Sequence, residues 1–454
     1  MKIRILTVIV LALTSLDSGS AVASTGITVR VLPGLSGSTN SVAYDVNNAG
    51  DIVGVNEVAG YLRPVMWPAA GSPVDLGVPP GLIGGIARSI TDNGTIVGST
   101  AYVTDGSYGT AIMFRPGAPV ALPNLISGGR ANAWAVNGSG VAVGEARNNT
   151  LARRFEAAVR WESGSVQDLG KLPSWDLALA RGINDNGDIV GVGMAVLNVS
   201  FGKAFVWRSG QFTELGSLGW PDGYSIAYAI NNAGDIVGSS RRLDNIIHAA
   251  MWRNGQVIDL GTMAGGTMSE ALAVNGVGDA VGYAMAADSI VHAALFSGGQ
   301  VILLPDPPGA ISGQTIAHGM NDFGQIVGQA IDATTFHAMP ILWTVGAAPP
   351  TSSQLRSTRI DLSARLRSGL VTVTGAVTVK DESDSPVPGA MVFVRWTRPG
   401  GAVTDQSRTT DSNGVARSST SGGRGTYTLR VTNITKTGYT FDPAISVLTA
   451  SITK

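Results

Sequence analysis

INNAGDIVG, residues 230–238, consists of an apolar segment, a polar turn and a second apolar segment. Stretches of this pattern occur seven times, and their turn glycines lie 44 to 47 residues apart. The other six are VNNAGDIVG at 46–54, ITDNGTIVG at 90–98, VNGSGVAVG at 136–144, INDNGDIVG at 183–191, VNGVGDAVG at 274–282 and MNDFGQIVG at 320–328. Such regular spacing is typical of a repeat protein.

Each stretch predicts a β-hairpin. Asn231 can cap the backbone with its own side chain, and Gly234 supplies the positive φ that a bulged three-residue loop requires. A third apolar segment ends in an aromatic residue in every repeat: Trp67, Phe114, Trp161, Trp207, Trp252, Phe296, Trp343. A fourth segment follows a short turn, as QVIDLG does at 256–261. Four antiparallel strands in about 45 residues is the size of one β-propeller blade.

The last repeat lacks a fourth apolar segment, because the chain continues after Trp343 into Gly-Ala-Ala-Pro-Pro at 346–350. The start of the chain supplies a candidate, since Val29–Pro33 aligns with Val301–Pro305. We therefore expect residues 24–345 to form a seven-bladed β-propeller in which the N-terminal strand completes the last blade. Such closure protects strand edges that an open array would expose.

The repeats also resemble a bacterial extracellular family named HAF after its His-Ala-Phe triplet. The resemblance covers residues 26–345 and rests on the hairpin motif, on His-Ala at 248–249 and 292–293, and on Asp-Leu-Gly at 259–261. His337 lies two residues further from its tryptophan, and Lys203 replaces the histidine in the fourth repeat. The resemblance implies export and tandem repeats, and it implies no established activity.

Composition restricts the function classes. The chain has 454 residues, of which 60 are glycine and 14% are charged, as suits short strands joined by tight turns. Its formal net charge of −1 offers no basic surface for phosphates, so nucleic acid is not an expected partner. It has no cysteine, which excludes disulfides, a thiol nucleophile and cysteine-ligated zinc.

Residues 1–23 have the features of a signal peptide. Lys2 and Arg4 precede the apolar stretch 5–13, and Ala-Val-Ala at 21–23 is a cleavage site. The apolar stretch is shorter than the ~20 residues that a membrane-spanning helix needs. We expect cleavage near Ala23 and export, to the periplasm or out of the cell, of a chain that does not span the membrane.

A linker rich in Pro, Ser and Thr at 346–357 precedes a segment of different character, residues 358–454. Apolar and polar residues alternate at 371–374, 392–396 and 427–431, with turn residues between them. This pattern predicts an Ig-like β-sandwich. The segment also resembles bacterial Ig-like modules of adhesins and enzymes. Trp396 is expected in its core.

Candidate ligand-binding residues lie where the repeats vary. The step from the last motif glycine to the third-strand aromatic ranges from 13 to 17 residues, and variable loops on rigid scaffolds commonly bind ligands. Aromatic rings can stack on sugars while Asp and Arg bond to hydroxyls. The candidates are Trp175, Asp176, Trp220, Asp222, Tyr224, Arg241, Arg242 and Asp244. For the two tryptophans, packing between blades is the alternative interpretation.

No metal ion, cofactor or catalytic residue is expected. His248, His292 and His337 occupy third-strand positions that other repeats fill with Lys or Thr, which favours structural or surface roles over metal binding. Asn184–Asp188 lacks the ligand order of a calcium loop. No G-x-S-x-G, H-E-x-x-H or phosphate-binding glycine motif occurs.

Three functions remain open. The first is a secreted, non-catalytic binding or adhesion protein, monomeric, with an extracellular carbohydrate or cell-surface protein as its ligand. The second is a structural component of an extracellular matrix or surface. The third is a carbohydrate-active enzyme, which two close acidic residues in the propeller channel would favour.

Overall fold

A computed structural model gives the fold of residues 26–100, 109–115, 118–147, 156–195, 202–219, 223–287, 289–346, 353–381, 384–436, 439–441 and 445–454. The predicted signal peptide lies outside these ranges. Every regular element in them is a β-strand, so the protein is all-β. Within the same ranges no helix is long and apolar enough to cross a membrane. The chain divides into two compact units, Met1–Gly346 and Ala347–Lys454.

The first unit begins with strand β1 (Ile27–Val31) and continues with antiparallel sheets of four strands. Sheet 1 contains β2 (Ser38–Val46), β3 (Ile52–Val58), β4 (Tyr61–Trp67) and β5 (Val74–Asp75). Sheet 2 contains β6 (Gly85–Ile90), β7 (Ile96–Thr100), β8 (Ala111–Arg115) and β9 (Ala118–Ala121). Sheet 3 contains β10 (Ala131–Val136), β11 (Ala142–Arg147), β12 (Glu156–Glu162) and β13 (Ser165–Asp168). Sheet 4 contains β14 (Leu177–Ile183), β15 (Ile189–Met194), β16 (Gly202–Arg208) and β17 (Gln211–Glu214). Sheet 5 contains β18 (Ser225–Ile230), β19 (Ile236–Arg241), β20 (Ile247–Arg253) and β21 (Gln256–Gly261).

Sheets 6 and 7 follow the same plan. Sheet 6 contains β22 (Met268–Val274), β23 (Ala280–Met285), β24 (Val291–Ser297) and β25 (Gln300–Leu303). Sheet 7 contains β26 (Ile316–Met320), β27 (Gln325–Ile331), β28 (Ala338–Val345) and β1. One parallel pair, Ile247 with Met268, joins sheets 5 and 6. In each sheet the hairpin motif lies in the first two strands, and the third-strand aromatic lies at or near the end of its strand.

Strand β1 takes the fourth position of sheet 7, the place that the sequence alignment predicts for it. It pairs antiparallel with β28, with Val29 opposite Trp343. Backbone hydrogen bonds from Leu32 to Pro340 and from Gly346 to Gly26 extend this pairing at both ends. The first described residues of the chain therefore cover the edge of its last sheet in this unit.

The turn asparagines join one sheet to the next. Asn231 Oδ1 accepts the Asp235 backbone N–H at 2.8 Å, and Asn231 Nδ2 donates to the Asn275 carbonyl of the following turn at 2.9 Å. Asn321 Nδ2 donates to the Asn47 carbonyl at 2.9 Å, so the last turn is bonded to the first. The turn glycines have φ between 76° and 89°, as the motif predicts.

The apolar cores lie between consecutive sheets. Each of seven clusters of buried residues joins two neighbouring sheets: 1 and 2, 2 and 3, 3 and 4, 4 and 5, 5 and 6, 6 and 7, and 7 and 1. The last of these brings Leu32, Val327 and Leu342 against Val46 and Trp67. Burial between sheets, and not within a single sheet, is what holds the repeats together.

The third-strand aromatics are packing residues. All seven are buried, with Trp343 fully so. Trp67 Nε1 donates to the Pro33 carbonyl at 2.6 Å, and Trp343 Nε1 donates to the Pro305 carbonyl at 2.7 Å. Each of these indoles thus anchors the segment that enters its own sheet.

The second unit contains two four-stranded sheets around one apolar core, which includes Trp396 and Tyr427. Its strands are β29 (Ser353–Arg367), β30 (Leu370–Lys380), β31 (Met391–Thr397), β32 (Val403–Thr409), β33 (Val415–Gly422), β34 (Thr426–Thr435), β35 (Tyr439–Phe441) and β36 (Thr449–Thr453). Residues 353–357, which composition assigns to the linker, belong to β29 because Leu355 is buried in this core.

Candidate functional site

The first strand of every sheet in the first unit contains a one-residue bulge. In sheet 5, for example, Ala227 and Ala229 pair with consecutive residues of β19, and Tyr228 between them has no partner in the ladder. The same irregularity occurs in all seven first strands. The bulged residues are Tyr44, Arg88, Trp134, Arg181, Tyr228, Leu272 and His318.

The last glycine of the motif permits this bulge. A Cβ on Gly238 would lie 1.9 Å from the Ile226 carbonyl oxygen, which no side chain could tolerate. The corresponding distance is 1.9 or 2.0 Å in all seven sheets. The glycine lets the carbonyl of the first strand approach, and the strand then has one residue too many for its ladder.

Bulged side chains from different sheets contact one another. The rings of Tyr44 and His318 are 5.3 Å apart, centroid to centroid. The guanidinium carbon of Arg88 lies 5.4 Å from the Tyr44 ring centroid and 4.1 Å from that of Trp134. Arg181 lies 4.3 Å from the same Trp134 centroid. We call His318, Tyr44, Arg88, Trp134 and Arg181 the central cluster; they come from sheets 7, 1, 2, 3 and 4.

The central cluster contains more cations than carboxylates. Arg181 forms an ion pair with Glu145 at 3.8 Å, and Asn132 Nδ2 donates to the other oxygen of Glu145 at 3.1 Å. Arg88 Nε is buried without a hydrogen-bond partner. Burial lowers the pKa of Arg88, and burial also lowers the pKa of His318 to about 4. His318 is therefore neutral near pH 7.

Sheets 5 and 6 contribute an acidic group with tyrosine partners. Tyr228 donates its hydroxyl to Glu270 Oε2 at 3.0 Å, and Ser239 donates to Glu270 Oε1 at 3.4 Å. Burial raises the pKa of Glu270, and the hydrogen bonds from Tyr228, Tyr283 and Ser239 lower it in part. Burial, followed by the charge of Glu270, raises the pKa of Tyr228 and of Tyr283. Both phenols therefore stay protonated and can donate hydrogen bonds.

Two residues that the sequence proposes for ligand binding, Tyr224 and Arg241, contact each other. The guanidinium carbon of Arg241 lies 5.7 Å from the Tyr224 ring centroid, and the Arg241 backbone N–H donates to the Tyr224 carbonyl at 2.8 Å. Burial, then the charge of Glu270, raises the pKa of Tyr224. Tyr224 and Arg241 are thus next to each other, and the charge of Glu270 acts on Tyr224.

Trp175 has a different environment. Its side chain is 4% exposed and contacts the rings of Phe205 and Phe212, with centroids 5.6 and 5.7 Å away. Its Nε1 donates to Glu214 at 3.2 Å. The structure places Trp175 in the core between sheets 3 and 4, with its ring against protein. The neighbouring Asp176 bonds through its backbone N–H to the Met194 carbonyl.

The remaining sequence candidates are apart from the central cluster or outside the described residues. Arg242 forms ion pairs with Asp244 at 3.5 Å and with Asp259 at 3.2 Å. Asp259 also contacts His248 Nδ1 at 2.8 Å, so these side chains form a polar group of their own. Trp220 and Asp222 lie outside the described residues. In the described part of the chain no group of three or more His, Asp or Glu is arranged to hold a metal ion.

Two surface grooves lie elsewhere. A groove of about 330 Å³ in sheet 1 is lined in part by Tyr61, Arg63 and Asp75, and a groove of about 360 Å³ in the second unit is lined in part by Arg395 and Arg430. The ion pairs of Arg63 with Asp75 and of Arg395 with Asp405 satisfy the charges there. Neither groove contains a residue of the central cluster.

The position of the central-cluster residues can be recognised in the repeat sequence, although the loop lengths do not indicate it. The bulged residue always lies three positions before the first turn residue, and an alanine always precedes it. Between repeats this position changes from Tyr to Arg, Trp, Leu or His, while the residue after it is Ala, Gly or Ser in every repeat except the first, which has Asp45. A position that varies between repeats in this way indicates a side chain that is not needed for packing between the sheets.

Comparisons with known proteins show distant similarity only. No protein-family model matches the chain, and no curated protein matches it. Among solved structures, it is similar to TolB from Acinetobacter baumannii at 10% identity over 67% of this chain and 80% of that one, with a TM-score of 0.35. It is also similar to the β-propeller domain of the Trilobed protease from Pyrococcus furiosus at 11% identity, over 60% and 97% of the two chains, with a TM-score of 0.35. A sialidase from Trypanosoma rangeli in complex with sialic acid gives 11% identity over 91% and 87%, with a TM-score of 0.33.

Proposed function

We propose that the protein is a secreted, non-catalytic binding or adhesion protein. A seven-bladed β-propeller presents the ligand site, and an Ig-like β-sandwich follows it as a spacer or second contact. The observation that carries the proposal is the central cluster, in which five sheets each contribute one side chain to the same place. A frame that repeats almost unchanged around a variable centre is typical of a scaffold that holds a binding site.

Three features support the seven-bladed propeller. Apolar cores join every pair of consecutive sheets, including sheets 7 and 1. The bond from Asn321 to Asn47 connects the last turn to the first. Strand β1 occupies the edge of sheet 7. A linear array of repeats would need polar caps at its two ends and would gain nothing from these contacts. In the second unit, two four-stranded sheets on one core support the Ig-like sandwich.

The chemistry of the centre suits an extracellular carbohydrate or a polar protein surface. Tyr228 and Tyr283 offer hydroxyl groups, Glu270 offers a carboxyl group, and Arg241 stacks on Tyr224 beside them. Sugars are bound through such hydroxyl contacts together with flat apolar or guanidinium faces. HAF-type repeats, export by a signal peptide cleaved near Ala23, and a monomeric state complete the proposal.

The test is a glycan array combined with a polysaccharide-hydrolysis screen, using the chain from residue 24 to 454. Wild type should bind a subset of glycans and release no product. Arg241→Gln should weaken that binding at least tenfold. Arg208→Gln is the matched control, because Arg208 lies at the end of a third strand and pairs with Asp188. Absence of binding to glycans and to cell surfaces, or release of product, would contradict the proposal.

One observation favours a second candidate, a carbohydrate-active enzyme. Burial raises the pKa of Glu156, the charge of Glu145 raises it further, and Arg181 and Arg130 lower it. Two carboxyl groups that act electrostatically on each other are the kind of pair that glycoside hydrolysis uses. If this candidate is correct, wild type releases reducing ends from a polysaccharide and Glu156→Gln abolishes the release.

A further inference from the structure

Arg88 is a cation without an anionic partner of its own. Its Nε is buried without a hydrogen-bond partner. It packs against the rings of Tyr44 and Trp134. The residue as a whole keeps intermediate exposure. A partly buried charge in this position is costly unless an anion accompanies it.

The surroundings leave one positive charge in excess. Arg88 and Arg181 both contact Trp134, and Glu145 is the carboxylate that pairs with Arg181. His318, on the other side of Tyr44, is neutral near pH 7 because of its low pKa. Glu156 and Arg130 also act electrostatically on this group, so three guanidinium groups face two carboxyl groups, an excess of one positive charge.

We infer that Arg88, supported by Arg181, binds the carboxylate of an acidic carbohydrate. This inference rests on the proposed function and specifies its ligand class as a uronate-containing glycan. A guanidinium group bonds a carboxylate through two parallel N–H donors, and its stacking on Trp134 holds the plane of that fork in place. The hydroxyl groups of Tyr228 and Tyr283 in sheets 5 and 6 are bonded to Glu270, and their oxygens can accept hydrogen bonds from the hydroxyls of a sugar.

The test compares two probes that differ only in charge. Isothermal titration calorimetry on residues 24–454 would use tetragalacturonate and its fully methyl-esterified form. The acid should bind at least tenfold more tightly than the ester. Arg88→Gln should weaken binding of the acid at least tenfold, and Arg88→Lys, which keeps the charge and loses the fork, should weaken it three- to tenfold.

Arg160→Gln is the control, because Arg160 also lies over an indole, that of Trp207, and is paired with Glu162. Its affinity should stay within twofold of wild type. Circular dichroism and thermal unfolding would show that each variant is folded, and Arg88→Lys gives a second measurement if Arg88→Gln is not. Equal binding of acid and ester, no binding of the acid, or unchanged affinity in the folded Arg88 variants would overturn the inference.

The glycan array separates this failure from failure of the proposed function. If the acid does not bind and neutral glycans bind in a manner that depends on Arg241, the binding function stands and the Arg88 inference is wrong. If neither acidic nor neutral glycans nor cell surfaces bind, both are wrong.

Discussion

The carbonyl oxygen of Ile226 lies 1.9 Å from the point that a Cβ on Gly238 would occupy. This approach accompanies the bulge that leaves Tyr228 outside the strand ladder. Because the same relationship occurs in all seven sheets, the last glycine of the motif is the reason that one side chain per sheet is free to differ. The repeat therefore combines a fixed frame with a variable residue.

Replacing Gly238 by Ala should destabilise the first unit by about 3 kcal/mol, since the Ile226 carbonyl must move and the bulge with it. Urea unfolding followed by tryptophan fluorescence measures the change. Gly216→Ala is the control, because a Cβ there meets no atom within 4 Å and Gly216 has no positive φ. Equal stability of the two variants would show that the bulge does not depend on this glycine.

Asn231 links two turns, and the bond that its Oδ1 accepts can be kept while the bonds that its Nδ2 donates are removed. Asn231→Ala loses the acceptor for Asp235 N–H and the donor to the Asn275 carbonyl and to Asp235 Oδ2, which should cost about 3 kcal/mol in unfolding free energy. Asn231→Thr should cost about half as much. Thr91 in sheet 2 shows why: its hydroxyl accepts the Thr95 backbone N–H at 3.0 Å, so threonine keeps the bond within the turn.

Thermal and urea unfolding of both variants measure this difference. Identical losses for alanine and threonine would mean that the bond that Oδ1 accepts contributes nothing to stability and that the bonds that Nδ2 donates account for the whole effect.

Much of the strand framework can be predicted from the sequence, because its hairpins depend on residues that are close together in the chain. An Asn-x-x-Gly turn between apolar segments predicts the hairpin, and the bond from Asp235 N–H to Asn231 Oδ1 and the positive φ of Gly234 confirm it. The missing fourth segment after Trp343 predicts where β1 pairs. The boundary at 357 is less accurate, because Leu355 packs in a core that its polar neighbours do not indicate.

Removing residues 24–35 tests the role of β1. The deletion exposes the edge of β28 and removes Leu32 from the core between sheets 7 and 1, so the first unit should unfold at least about 10 °C lower. Removing residues 347–454 should change its unfolding temperature by no more than about 2 °C. Circular dichroism measures both. An unchanged temperature without β1 would mean that the unit does not depend on its N-terminal strand.

His318 should make stability depend on pH. Its pKa is about 4 in the folded protein and 6.5 for an ordinary histidine, so between these values the unfolded chain binds more protons. Stability is therefore lost as pH falls from 6.5 towards 4. Between pH 7 and pH 5 the loss from this group is about 2 kcal/mol, and His318→Gln should not show it.

The measurement is the difference in unfolding free energy between wild type and His318→Gln at the two pH values. Burial raises the pKa of Asp45 to about 6, which lowers stability as pH rises through that range. Asp45 is present in both proteins, so its effect cancels in the difference. A difference that does not change with pH would show that His318 titrates normally in the folded protein.

The candidate site is only partly predictable from the sequence. Loop lengths draw attention to Tyr224 and Arg241, which contact each other, and the charge of Glu270 acts on Tyr224. The same reasoning selects Trp175, whose ring is instead held between Phe205 and Phe212. It does not select Arg88, because contacts between bulged residues of different sheets depend on how the sheets pack, and no single repeat contains that information.

The location of the ligand site can be determined without substituting any residue of that site in the protein that binds the ligand. The chain from residue 24 to 454 would be labelled with 5-fluorotryptophan, and the resonance of Trp134 among the nine tryptophans would be assigned with Trp134→Phe. A glycan that the array identifies would then be added and fluorine spectra recorded. Binding at the centre predicts that the Trp134 resonance shifts while that of the buried Trp175 does not. A shift of Trp175 with Trp134 unchanged would contradict a ligand site at the central cluster.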